Sequence, residues 1–148
     1  MNKIIKLSAF LCMLLIFAAS CMKPRVDMDL GAWGDNANIT AAVIFRYVEV
    51  KTQLGYKDSV IGYQNVSIST KSNTIDKAAA TVNIVAVSGT DLTKMGIRFT
   101  HLATKIEPLD GAPVAGVISD FTKGTFKYRL YSADGTTRDW TVNVTVGL

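Results

Sequence analysis

Phe126–Val146, FKYRLYSADGTTRDWTVNVTV, is the stretch that decides the fold. Phe126, Tyr128 and Leu130 fall on one alternating face, with Lys127 and Arg129 on the other. Ala133-Asp134-Gly135-Thr136 then forms a turn signal, with Gly135 suited to positive φ. Trp140, Val142, Val144 and Val146 alternate with Thr141, Asn143 and Thr145. Period-two alternation on both sides of an Asp-Gly turn predicts a hairpin with one buried and one wetted face.

Working back toward the N-terminus, the same signal recurs in weaker form. Ile39–Val50 is β-branched and aromatic on both faces, which predicts a strand covered on both sides. Val60–Ser69 and Ala80–Ser88 alternate as strands, and the polar Lys71–Lys77 between them reads as a loop. Asp91 is placed to cap one helical turn over Leu92–Met95 before Gly96. Ile97, Phe99 and His101 alternate with Arg98 and Thr100, and Thr104–Ile106 is a short strand candidate. Leu109–Pro113 is a turn region, and Val114–Ile118 reads as an edge strand because Pro113 lacks a ladder donor. About seven short strands with turns between them predict an all-β chain, an antiparallel β-sandwich.

The 148 residues suffice for one domain. Charged residues at 19% and hydrophobic residues at 49% place the chain among globular rather than disordered sequences. The formal charge of +4 falls to +2 without Lys3 and Lys6, and the remaining basic residues are scattered. That distribution excludes the clustered basic face that nucleic-acid binding needs.

Met1–Ser20 has its own logic. Lys3 and Lys6 precede an apolar run from Leu7 to Ala19, which is shorter than the roughly 20 residues of a spanning helix. Small residues follow, so the segment has the three parts of a secretory signal. Ala18-Ala19-Ser20-Cys21 resembles a bacterial lipobox, with Ala18 where leucine is common. The resemblance implies diacylglyceryl transfer to the Cys21 thiol and cleavage before it. Cys12 leaves with the leader, so Cys21 is then the one mature cysteine, which an oxidising compartment would otherwise press to find a disulfide partner. The competing reading is an ordinary signal beside a chance cysteine. Met22 after the cysteine, in place of aspartate, favours the outer membrane. Met22-Lys23-Pro24-Arg25 lacks the acidic run associated with surface export, and which side of that membrane the domain faces stays open. Residues 21–38 are expected to be a tether and 39–148 the folded domain, with Trp33 expected to pack on it.

A second resemblance rests on an ordered series: Asp91-Leu92-Thr93, Ile106-Glu107-Pro108, Ser119-Asp120-Phe121-Thr122, Phe126–Thr136 and Trp140–Val144. It is similar to the immunoglobulin-like domains of Bacteroides lipoproteins and covers about residues 82–148. It implies an immunoglobulin-like sandwich without catalytic residues, acting as a spacer, adhesion or carbohydrate-associated module.

Candidate sites are few. His101 shares an apolar face and reads as a partly buried structural histidine. With no second histidine and Cys21 committed to lipid, neither a Cys-His nucleophile nor a multi-histidine metal site can be built. Asp35, Asn36 and Asn38 offer oxygens for calcium, against the plainer reading of a polar turn. Tyr47, Tyr56, Tyr63 and Tyr131 are candidates for stacking on a sugar or a partner, against ordinary sheet packing. Tyr56 and Tyr63 flank Lys57-Asp58-Ser59, and Asp58-Ser59-Val60 resembles a Bacteroides O-glycosylation tripeptide at Ser59. The sequence therefore predicts no catalysis and no cofactor or metal. It predicts a lipid-anchored envelope module that meets a protein partner, or alternatively a carbohydrate-binding accessory of glycan uptake.

Overall fold

The computed structural model describes residues 36–51 and 60–148. The leader, Cys21, Trp33, Asp35, Tyr56 and Ser59 lie outside the described residues. Eight strands follow in chain order: β1 Ile39–Lys51, β2 Val60–Ser67, β3 Thr70–Asp76, β4 Thr81–Ala86, β5 Gly96–His101, β6 Lys105–Leu109, β7 Thr125–Tyr131 and β8 Thr137–Val146. They form a three-stranded sheet, β2-β1-β5, and a five-stranded sheet, β3-β4-β8-β7-β6. The expected all-β sandwich is present, with eight strands.

The alternation in Phe126–Val146 builds the centre. β7 and β8 pair antiparallel with Phe126 opposite Val142 and Tyr128 opposite Trp140. Gly135 closes the hairpin at φ +87°, a conformation costly for other residues. β8 then pairs on its other side with β4, in parallel, setting Val82 beside Val142 and Ile84 beside Val144. Among the described strands this parallel pair is the one departure from an antiparallel plan. Ala42, Ile44 and Ile97 meet these residues from the other sheet, with Phe99 edge-on to Tyr128 at 5.1 Å between centroids. Burying each large aliphatic or aromatic side chain contributes about 1.5–3 kcal/mol.

Two buried polar groups inside this core are satisfied. The Trp140 indole donates to the Ala37 carbonyl (2.9 Å), and the Tyr128 hydroxyl donates to the Pro113 carbonyl (2.8 Å). The first ties the entry to β1 onto the five-stranded sheet. Burial raises the Tyr128 hydroxyl well above the usual tyrosine value.

Three local expectations differ from the structure. Lys71–Lys77 lies largely in β3, because an edge strand needs backbone partners and only one apolar contact, supplied by Ile75. Val114–Ile118 forms no strand. It runs past β5 as turns, held by Gly116 N–H on the Ile97 carbonyl (2.7 Å) and by a bridge between Met95 and Ser119. The capped turn after Asp91 is present as a 3-10 turn over Leu92–Lys94. The third difference lies in β1, where cover on both sides ends at Phe45 and Arg46–Glu49 are exposed.

Candidate functional site

β1 and β2 run on past the sandwich as a two-stranded ribbon. Cross-strand register places Phe45 opposite Ser67, Tyr47 opposite Asn65 and Glu49 opposite Tyr63. β5 adds Gly96 opposite Phe45 and Arg98 opposite Val43 on the same outer face. Phe45 is fully buried there although it points away from the core, because its ring lies across Gly96. A Cβ on Gly96 would stand 2.7 Å from Phe45 Cε1 and 2.9 Å from Cε2. The Arg98 guanidinium lies over the ring, 4.5 Å from its centroid, and donates to Asn65 Oδ1 (2.9 Å). Glycine supplies the room and the cation supplies the lid.

The row continues outward into solvent. Tyr47 lies 6.0 Å from Phe45, and Tyr63 lies 6.5 Å from Tyr47, centroid to centroid. Tyr47 is 51% exposed and Tyr63 68% exposed. Their planes tilt by 46°, so the two rings do not form a flat platform. On the opposite face of the ribbon Val48 and Val60 are also exposed. The ribbon therefore presents apolar and aromatic side chains to water on both faces.

Its edge is as unusual as its faces. A sheet edge exposes unpaired N–H and C=O groups, and natural edges are blunted by charge, proline or cover. β3 carries Lys71 and Asp76, β6 carries Lys105, Glu107 and Pro108, and β5 is partly covered by residues 116–119. β2, VIGYQNVS, carries no charge and no proline. Among the described residues no strand pairs with its outer side.

The remaining candidates take structural roles. His101 is half-buried with Nδ1 3.1 Å from the Ala103 carbonyl oxygen, and the cavity beside it is lined by Arg98, Phe99, Ile106, Ala115 and Gly116, with no carboxylate. Asn38 Oδ1 accepts from Arg138 Nη1 at 2.6 Å, so a cation already occupies the oxygen considered for calcium. Among the described residues no group of three His, Cys, Asp or Glu side chains gathers to hold a metal. Tyr131 donates to Glu107 Oε2 (2.7 Å), which holds the Glu107 carboxyl below its usual range and raises the tyrosine. The sequence names Tyr47 and Tyr63 as exposed rings, and both are exposed. Tyr47's role depends on register, and Phe45, Arg98 and Asn65 were missed because alternation alone does not tell which outward ring finds a glycine opposite it.

Three turns share one device. Asp91, Asp120 and Asp134 each accept both the backbone N–H and the hydroxyl of the threonine two residues on, at 2.6–2.9 Å. These bonds lower all three carboxyls, the threonine hydroxyl leading for Asp91 and Asp134 and the threonine N–H for Asp120. Asp139 is lowered by its bidentate bonds from Arg129. A carboxyl depressed in the folded state adds stability above its unfolded value, near 4, and loses it as pH falls through the folded value. The thermal midpoint is therefore expected to hold above about pH 5 and to fall below about pH 4. Melting curves followed by circular dichroism check this, and replacing Asp91, Asp120 and Asp134 together by asparagine should flatten the acid slope.

Two packed sheets with an aromatic ribbon running off one of them define a small β-sandwich domain. The chain belongs to the DUF5018-related family, whose model matches residues 38–143. Its fold is also that of a solved structure, a candidate secreted protein of Bacteroides fragilis. That protein is 24% identical with a TM-score of 0.61, over 76% of this chain and 97% of the other. No curated protein matches. Among the described residues no helix is long and apolar enough to cross a membrane.

Proposed function

We propose that this chain is a lipid-anchored, non-enzymatic interaction module of the bacterial envelope, with the β1–β2 ribbon as its contact element. The observation that carries the reading is the uncharged, proline-free outer edge of β2, flanked by the exposed rings of Tyr47 and Tyr63. An extended segment of an envelope protein adds to such an edge by main-chain hydrogen bonds, and alternate side chains fill the spaces beside the rings. The tilt between the rings favours a protein strand over a sugar lying flat across both. In this reading residues 1–20 are a cleaved leader, Cys21 carries the acyl chains that hold the domain at the outer membrane, and residues 21–38 lead to an immunoglobulin-like sandwich. The match to a candidate secreted protein supports export.

A photo-crosslinking amino acid at position 63, in intact cells, tests the ribbon against the same group at Asn83 on the five-stranded sheet. A discrete heavier species is expected from position 63 only, with mass spectrometry placing the partner's linked residue in an extended segment. No species from position 63, or equal yield from both positions, removes the proposal. A species of twice the chain's mass would make the occupant a second copy. Retention on glycan affinity gels that Tyr63→Ala abolishes would instead select the carbohydrate-binding alternative. Cys21→Ser is expected to abolish labelling by radioactive palmitate and to release the chain from the membrane fraction.

A further inference from the structure

The chain passes from the three-stranded to the five-stranded sheet between Ser67 and Thr70. A cavity of about 300 Å³ opens at that corner, lined by Arg46, Ser67–Ser69 and the Val87–Asp91 turn. Its walls are fixed by the Val87 N–H on the Ser69 carbonyl (3.2 Å) and by the Ile68 N–H on the Ile44 carbonyl (2.9 Å). The volume lies at the lower end of small-molecule sites.

Arg46 is the feature that needs an explanation. Of the four arginines described, Arg98 is held by Asn65 and Phe45, Arg129 by Asp139, and Arg138 by Asn38 and the Trp140 ring. The Arg46 side chain makes no hydrogen bond and no ion pair among the described residues. Its fork therefore stands at the cavity with its donors unused by protein. The hydroxyls of Ser67, Ser69 and Ser88 likewise make no hydrogen bond there, whereas the Thr90 hydroxyl is spent on the Val87 carbonyl (2.8 Å). Asp91 completes the rim. Its Oδ1 takes both donors of Thr93, which keeps the carboxyl ionised and leaves Oδ2 as an acceptor. Ile68 and Val87 supply the apolar part of the lining.

We propose that this corner binds a single carboxylate carried on a hydroxylated frame, the chemistry of a sugar acid. A guanidinium fork matches a carboxylate with two parallel hydrogen bonds. Asp91 places a negative charge on the same cavity rim, so a ligand carrying a second negative charge is disfavoured. Its free oxygen accepts from a ligand hydroxyl instead, and the three serines donate or accept as the frame requires. By strand alternation Arg46 sits on the face of β1 opposite Tyr47. The fork is thus on the other face from the aromatic row, although Ser67, which also lines the cavity, is the cross-strand neighbour of Phe45.

The test titrates the ¹⁵N-labelled full chain, in detergent micelles, with glucuronate, glucose, inorganic phosphate and an acetylated tripeptide with a free C-terminus. Glucuronate is expected to shift the amides of Ser67–Ser69 and Val87–Asp91 in the millimolar range. Glucose should bind about tenfold more weakly, since a hydrogen bond to a charged group is worth that much or more. Phosphate should leave these amides unmoved. Arg46→Gln should weaken glucuronate at least about tenfold while melting within about 3 °C of the parent, as an exposed substitution does. Asp91→Asn is the second variant and should admit phosphate. Equal responses to glucose and glucuronate, or unchanged binding by Arg46→Gln, would overturn the proposal. Tripeptide binding as tight as that of glucuronate would overturn the sugar frame and leave a peptide terminus as ligand. If Arg46→Gln does not fold, failure of Asp91→Asn to bind phosphate counts against the site.

Discussion

Trp140→Ala is expected to destabilise the domain by about 3–5 kcal/mol, enough to leave a domain of ordinary stability marginal. The indole is fully buried between Tyr128 across the strand pair and the Arg138 guanidinium 5.5 Å from the ring. Truncation opens a cavity in the middle of the five-stranded sheet. It also strands the Ala37 carbonyl, which has the indole N–H as its partner in the core. Trp140→Phe separates the two effects. It keeps most of the volume and loses the hydrogen bond, so it should cost about 1–3 kcal/mol. Urea denaturation of the two variants measures both. A loss below 1 kcal/mol for the alanine variant would contradict the packing described for Trp140.

Gly96→Ala should be destabilising in the parent and stabilising in a Phe45→Ala background. In the parent the new methyl meets the Phe45 ring well inside van der Waals contact, and overpacking of this kind costs about 1–3 kcal/mol. With the ring gone, alanine gains the roughly 0.5–1 kcal/mol by which it exceeds glycine in a strand. The expected coupling is therefore about 1.5–4 kcal/mol in a double-mutant cycle, an interaction that distant, independent residues do not show. Additive costs would mean that Phe45 does not lie over Gly96. The experiment bears on the contact element as well, since Phe45 is the inner end of the row that continues through Tyr47 to Tyr63.

The parts of the fold that could be seen in the sequence share one property. In β7, β8 and β4 the alternating apolar residues Phe126, Tyr128 and Leu130, Trp140, Val142 and Val144, and Val82, Ile84 and Ala86 are all buried, so local pattern and tertiary environment agree; Val146, at the end of β8, is exposed. β3 was invisible because its strand state comes from hydrogen bonds to β4, which leave no mark on the side chains of Lys71, Ser72, Asn73 and Thr74. Val114–Ile118 misled for the converse reason, having apolar residues without a ladder partner. The apolar second half of β1 predicted cover on both sides, yet whether a neighbouring sheet reaches over Arg46–Val50 is a property of the other strands' lengths. Tyr63 could be nominated as a contact residue from the sequence. Arg46 could not, because its significance lies in what the other three arginines are already holding.

The position of β8 has a consequence for how the molecule comes into being. It is the last described strand in chain order, yet it sits third of five, between β4 and β7. Its parallel partner is β4, whose residues lie 60 positions before the β8 residues they pair with (Thr81 with Thr141), so that pairing closes a long loop and must form late. Until Thr137–Val146 arrives, β4 and β7 both stand as open edges and Val82, Ile84 and Phe126 have nothing between them. A chain still emerging thus has no stopping place before β8 can reach both neighbours. It stays pliable until then and closes the five-stranded sheet in a single late step.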